Sequence, residues 1–270
     1  SGKVTIEDKI GASDNGGADF YKLAALSINA TDSTGEIELF DIGDAGSVGT
    51  STATIGNADG TTGGTTTITL DGAYYRPGGT TLITATSGDT IKLTKPAGGA
   101  GDVDFVMAGN SLEFATGDIL LSNDVNLDID SSGTVTIAGI NGTSHEEVDI
   151  EGATVTVGVI GASDEIKKVT LDGSTKVKLT GNLTTSNTAD NDILIVGPVE
   201  IADDITLDTS RNASGTITFN GTGTAIDSIS TAAKDLTLIS GGGKIQIDGI
   251  IGATTALDVL KINDDVNGTA

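Results

Sequence analysis

The chain has 270 residues, with 39 Gly, 3 Pro, no Cys, no Trp and 3% aromatic residues. This excludes disulfides and thiol chemistry, and it leaves a core of Ile, Val, Leu and Ala in thin layers, without the buried area that aromatics supply. A formal charge of −24 excludes nucleic acid and anionic membrane as partners, since both are held by cationic faces; what remains for so many acids is solubility or divalent cations.

The first predicted unit spans residues 1–43. It holds the phrase GKVTIEDKIGA at 2–12, a strand ending Leu26-Ser27-Ile28-Asn29, and a strand Glu36–Phe40 in which Ile37 and Leu39 alternate with acids. Phe20–Leu26 is the one short stretch with a helical period. Residues 44–66 are Gly, Thr, Ser and Ala with little apolar periodicity, and read as an elaborated loop. A strand at Thr66–Leu70 follows, then the turn DGAYYRPGG at 71–79, where Pro77 breaks pairing and Gly78 and Gly79 allow a reversal. From residue 80 short apolar-alternating triplets recur: Leu82–Ala85, Ile91–Leu93, Val103–Val106, Leu112–Phe114, Ile119–Leu121, Val125–Ile129 and Val135–Ile137. They continue as Val148–Ile150, Val155–Val157, Val169–Leu171, Val177–Leu179, Ile193–Val196, Val199–Ile201, Ile205–Leu207 and Ile217–Phe219. Last come strands at Leu236–Ile239, Lys244–Asp248 and Leu257–Ile262, with an Ile-Gly-Ala turn at 251–253.

The two ends share a phrase. Residues 243–253, GKIQIDGIIGA, are identical to 2–12 at six of eleven positions, with Val4/Ile245 and Glu7/Asp248 conservative. Each phrase is followed by a strand of the form Leu-x-Ile-Asn, at 26–29 and 260–263. A related copy lies at 155–173. Internal repeats of this kind point to stacked coils.

Two architectures fit: an antiparallel β-sandwich of repeats, or a parallel β-solenoid in which each strand pairs with the strand one coil later. The triplets are short, the Asp-Gly and Asn-Gly pairs (71–72, 141–142, 172–173, 220–221) are irregularly placed, and the repeat carries across turns as well as strands. These features favour the solenoid: all-β, one array over 1–270, loop-rich at 44–80 and most regular over 100–263. Three triplets make a coil, and about ten coils about 4.8 Å apart give a rod about 50 Å long.

Asp204-Ile205-Thr206-Leu207, Gly215-Thr216-Ile217-Thr218-Phe219-Asn220-Gly221 and Asp235-Leu236-Thr237-Leu238 carry a family likeness. With the phrase around them, residues 198–263 resemble the repeats of filamentous-haemagglutinin-like giant surface proteins of bacteria. Residues 133–180 follow the pattern less closely, and the 44–66 loop and the Tyr-Tyr-Arg turn depart from it. The resemblance implies a right-handed parallel β-helix, secretion, and adhesive or scaffold roles.

Catalytic sets are poor. The one His, His145, lies in a Ser-His-Glu-Glu turn without a Ser/His/Asp set around it, and the chain reads as no enzyme. Calcium is the candidate cofactor, on hard oxygen ligands: Asp102 and Asp104 after a Gly-rich turn, and Asp128 and Asp130 alternating on one strand face, with Asp203–Asp204 and Asp264–Asp265 at turns. Tyr74, Tyr75 and Arg76, the densest aromatic spot, form the candidate glycan or protein contact. Six Asn-x-Ser/Thr sequons lie at Asn29, Asn141, Asn182, Asn212, Asn220 and Asn267.

With no initiating Met, signal peptide or apolar span, the chain reads as a mature or excised piece of something larger, extracellular or on a cell surface. The expected function is a non-catalytic structural or adhesive solenoid segment, its partners the neighbouring repeats of a longer parent chain. The alternatives are a subunit that assembles with itself end to end into a filament, sheath or surface layer, and a glycan-binding or glycan-cleaving β-helix.

Overall fold

The computed structural model describes residues 3–7, 10, 26–29, 36–43, 53–56, 67–72, 74–76, 81–84, 90–94, 101–107, 111–122, 124–143, 145–211, 214–221, 225–229 and 231–263. Among the described residues every element is a strand. The strands pair in parallel and stack as a β-solenoid, matching a right-handed parallel β-helix rather than antiparallel sandwich repeats. Of the stretch with a helical period, Phe20–Leu26, only Leu26 is described, and it opens a strand; the acids at 264–265 lie outside the described residues. The chain forms two compact units, residues 1–138 and 139–270.

The first unit holds β1 (Lys3–Ile6), β2 (Leu26–Asn29), β3 (Glu36–Leu39), β4 (Ala53–Gly56), β5 (Thr67–Leu70), β6 (Tyr74–Tyr75), β7 (Thr81–Thr84), β8 (Thr90–Leu93), β9 (Gly101–Val106), β10 (Leu112–Leu121), β11 (Val125–Asp130) and the start of β12 (Thr134–Asn141). They build three ladders. One runs β1, β3, β5, β8 and the second half of β10. Its inward positions stack Ile37, Ile68, Ile91 and Ile119 in one file and Leu39, Leu70, Leu93 and Leu121 in the next, all fully buried. A second runs β2, β4, β7 and the first half of β10. A third passes through Ile10, Ile42, β6, β9 and β11.

This topology follows from the period-two pattern. Every second residue of a strand faces inward, and an in-register parallel stack sets each such residue on its equivalent one coil away. Two readings change. β4 lies inside the stretch 44–66 that reads as a loop, because a single inward Ile55 and a parallel partner suffice for a rung. β6 makes part of the 71–79 turn a strand.

The second unit holds the end of β12, then β13 (Glu147–Ile160), β14 (Lys168–Leu179), β15 (Leu183–Thr184), β16 (Ile193–Val196), β17 (Val199–Ile201), β18 (Ile205–Asp208), β19 (Ile217–Asn220), β20 (Ala225–Ser228), β21 (Leu236–Ile239), β22 (Ile245–Ile247), β23 (Ile250–Ile251) and β24 (Leu260–Asn263). Its first ladder stacks Val148, Val169, Ile193, Ile217 and Ile245. The second stacks Val155, Val177, Val199, Ile226 and Ile251. The third stacks Ile160, Leu183, Leu207, Leu238 and Ile262.

β13 runs through all three faces and β14 covers two; they bend at Gly152 and Gly173, which are register partners, with an irregularity after Gly152. A Cβ on Gly173 would lie 2.3 Å from the Lys176 carbonyl oxygen. Gly197, at φ +98°, stands on the same corner, where its Cβ would lie 2.1 Å from the Gly173 carbonyl oxygen. The Asp172-Gly173 pair is therefore a corner within a strand, not a hairpin turn. The Ile-Gly-Ala turn at 251–253 likewise begins in a strand, β23.

Candidate functional site

β9 turns Val103 and Phe105 inward and Asp102 and Asp104 outward; β11 turns Val125, Leu127 and Ile129 inward and Asn126, Asp128 and Asp130 outward. The register sets Asp102 beside Asn126, Asp104 beside Asp128, and Asp130 beside Val106. The Asn126 side-chain amide donates to Asp102 Oδ1 at 3.0 Å. The four acids expected as two separate pairs thus share one outward face, with Asp104 and Asp128 as neighbours on adjacent strands. Among the described residues no group of three or more His, Cys, Asp or Glu side chains is placed to hold a metal ion. The sequence signal that unites the four is the equal spacing of Val103/Phe105 and Leu127/Ile129, 24 residues apart, which aligns the outward residues as well.

The Tyr-Tyr-Arg spot is corrected at Tyr75. Tyr75 is 1% exposed, in the core, its ring stacked on Phe105 at 4.9 Å with Phe114 edge-on to Phe105 at 5.5 Å. Its hydroxyl donates to the Leu39 carbonyl at 3.3 Å and accepts from the Gly72 N–H at 2.9 Å. Burial drives the phenol pKa well above its ordinary value. The ring packs inside the coil against Phe105, and so it makes no glycan contact. Tyr74 lies in register with Asp104, and half-buried Arg76 donates its backbone N–H to the Ile42 carbonyl at 2.8 Å.

His145 is exposed and its backbone N–H donates to Glu146 Oε2 at 3.1 Å. Glu146 is the residue the sequence reading missed in this turn. Its carboxylate is fully buried and accepts from the Thr143 N–H at 2.6 Å and from the Thr143 hydroxyl. A buried acid that accepts two backbone N–H groups and a hydroxyl is the organiser of a turn. Asp203 and Asp204 play the same part. Asp203 Oδ1 accepts the Asp204 N–H at 2.9 Å and meets Lys234 at 3.2 Å, and both interactions hold its carboxyl below the usual range. Asp204 Oδ1 accepts the Asp235 N–H at 3.1 Å.

On one side face of the second unit Glu200 pairs with Lys176 at 2.7 Å and Lys178 at 3.5 Å, and the hydrogen bond from Lys176 lowers its pKa. Above it Asp227 Oδ1 accepts the N–H groups of Thr254 and Thr255 at 2.9 and 3.2 Å. Lys176, Glu200, Asp227, Ser228, Thr254 and Thr255 line a shallow cleft of about 240 Å³. Asp149, on the neighbouring face, has its pKa raised, first by desolvation and then by Asp172 and Glu147, against the attraction of Lys168. Of the sequons, Asn182 and Asn220 are exposed and Asn141 is half-buried; Asn212 and Asn267 lie outside the described residues, as does the side chain of Asn29.

The last described coil differs from those beneath it. Leu236 and Leu238 are fully buried and Ile226 is 2% exposed, but their register partners Leu260, Ile262 and Ile251 are 37, 52 and 38% exposed, and Ile250 is 56% exposed. The residue types are those of the core; among the described residues no strand pairs on their far side. At the first coil Val4 is 39% exposed although its partner Ile37 is fully buried. Comparison with protein-family profiles, curated proteins and solved structures gives no match.

Proposed function

We propose that this chain is a non-catalytic structural segment of an extracellular or cell-surface β-solenoid, a stretch of scaffold on which further coils stack. The observation that carries this reading is the last coil, whose inward row of Ile251, Leu260 and Ile262 has core chemistry and an uncovered edge. An apolar strand edge of this kind templates another strand, and in a stacked fold each coil is stabilised mainly by its neighbours. The resemblance of residues 198–263 to filamentous-haemagglutinin-like repeats supports the extracellular placement, as does a side surface of Asp, Glu, Thr and Lys, which keeps a long β surface from sideways association.

The test is immunogold electron microscopy of source cells, intact and sectioned, with antibody raised against the purified chain. Label on the outer surface or in shed material is the expected result. Label confined to the cell interior overturns the proposal.

A further inference from the structure

We infer that the cleft on the side face of the second unit, lined by Lys176, Glu200, Asp227 and the Thr254–Thr255 turn, is a binding site for one neutral sugar ring. It lies on the flank of the coils. The inference goes beyond the scaffold reading and does not depend on it.

The inward row Val177, Val199 and Ile226 fixes what faces out. The residues just before them, Lys176, Pro198 and Ala225, form one outward file; those just after, Lys178, Glu200 and Asp227, form the next. Pro198 and Ala225 are short and apolar between longer neighbours, and they supply the apolar part of the cleft. The polar groups around them are held in place. Lys176 Nζ donates to Glu200 Oε2 at 2.7 Å, which leaves the other N–H groups of its ammonium to a ligand. Asp227 Oδ1 accepts the Thr254 and Thr255 N–H groups, so the carboxylate is fixed and its second oxygen serves as an acceptor. The same two threonines bring hydroxyls, which both donate and accept.

Charge, chemistry and size select the ligand. Lys176 and Lys178 balance Glu200 and Asp227, so in a chain of net charge −24 this place favours neither an anion nor a cation. A fixed carboxylate oxygen, two hydroxyls and an ammonium around a small apolar area match a ring whose hydroxyls donate and accept and whose C–H face is apolar. Sites for drug-sized ligands run from about 300 Å³ upward. A cleft of about 240 Å³ takes a single ring.

Amide chemical shifts of the nitrogen-labelled chain, titrated with methyl β-glucoside, methyl β-galactoside or N-acetylglucosamine, test this. At least one of the three should give saturable shifts at the amides of 199–201, 225–228 and 254–255, with a Kd of about 1–10 mM, the range for a dozen-atom ligand in an open cleft. Glucuronate and glucosamine, which carry a negative and a positive charge, should bind more weakly. Ala225→Phe fills the apolar part of the cleft and should abolish the shifts. Thr254→Val/Thr255→Val keeps both N–H groups on Asp227, removes only the hydroxyls, and should weaken binding about fivefold; it decides the question should Ala225→Phe not fold. Thr170→Phe, on another face of the unit, binds as the parent does. No saturable shift with any of the three sugars, saturation at other amides, charged sugars that bind equally well, or binding unchanged in a folded cleft variant overturns the site. None of these results bears on where the chain resides, so the scaffold reading stands or falls separately, on the immunogold label.

Discussion

The two units use one plan with different fillings. In the first unit the file Ile37, Ile68, Ile91, Ile119 advances by 31, 23 and 28 residues, and the interior holds Tyr75, Phe105 and Phe114. In the second, Val148, Val169, Ile193, Ile217 and Ile245 advance by 21, 24, 24 and 28 residues, and one corner is lined by buried polar side chains instead. There the Thr185 hydroxyl donates to the Asn191 carbonyl, the Asn191 side-chain amide to the Thr209 carbonyl, and the Ser240 hydroxyl to the Gly243 carbonyl, each at 3.0 Å. A tight corner points carbonyls into the coil, where water does not reach, so short polar side chains must answer them. A coil can therefore be filled by volume or by hydrogen bonds, and the two units should fail in different ways.

The largest expected effect is in the aromatic filling. Phe105→Ala removes the ring that joins Tyr75 to Phe114 and should cost about 3–5 kcal/mol, read by denaturant unfolding. Hydrogen exchange should show protection falling first at β6, β9 and β11 of the first unit; equal loss along the Val148–Ile245 file would erase the contrast between the units. Next is the glycine corner of the second unit. Gly197→Ala forces a side chain into φ +98° and against the Gly173 carbonyl, and should cost about 3 kcal/mol. A smaller effect follows from Asn191→Ala, which leaves the buried Thr209 carbonyl without that donor and should cost about 1–3 kcal/mol.

The smallest effects are electrostatic and run in opposite directions with pH. Glu200 has a lowered folded pKa, so its pairing with Lys176 and Lys178 stabilises above the ordinary carboxylate range and is lost as pH falls through the folded value. Glu200→Gln should cost about 0.5 kcal/mol at neutral pH and nothing in strong acid. Asp149 has a raised folded pKa, so its charge destabilises at neutral pH and the penalty vanishes as pH falls through that value. Asp149→Asn should raise Tm at pH 7 and leave it unchanged at low pH; a lower Tm at pH 7 would mean that Lys168 outweighs desolvation.

Much of the architecture was legible because its units are short and alternate. Ile193–Val196, Val199–Ile201 and Leu236–Ile239 stand in the structure where the apolar period places them. Leu183–Thr184 and Tyr74–Tyr75 escaped because a two-residue rung has no period to detect. Ala225–Ser228 escaped because its inward residues are Ile226 and a buried Ser228. Asp102, Asp104, Asp128 and Asp130 were legible as outward residues but not as neighbours, and Tyr75 was misplaced because composition does not say which aromatic ring turns inward.

The sequence by itself determined which side chains face inward, through the two-residue period of the strands, and that the coils repeat, through the phrase shared by residues 2–12 and 243–253. Only the tertiary structure decided which coil residue meets which. Register in this parallel stack is set between residues 19 to 33 positions apart, across turns of unequal length. The physical reason lies in the backbone hydrogen bonds of the ladder, which are indifferent to side chains: packing of the inward files selects the register, and the outward neighbours, Asp104 beside Asp128 among them, follow from it.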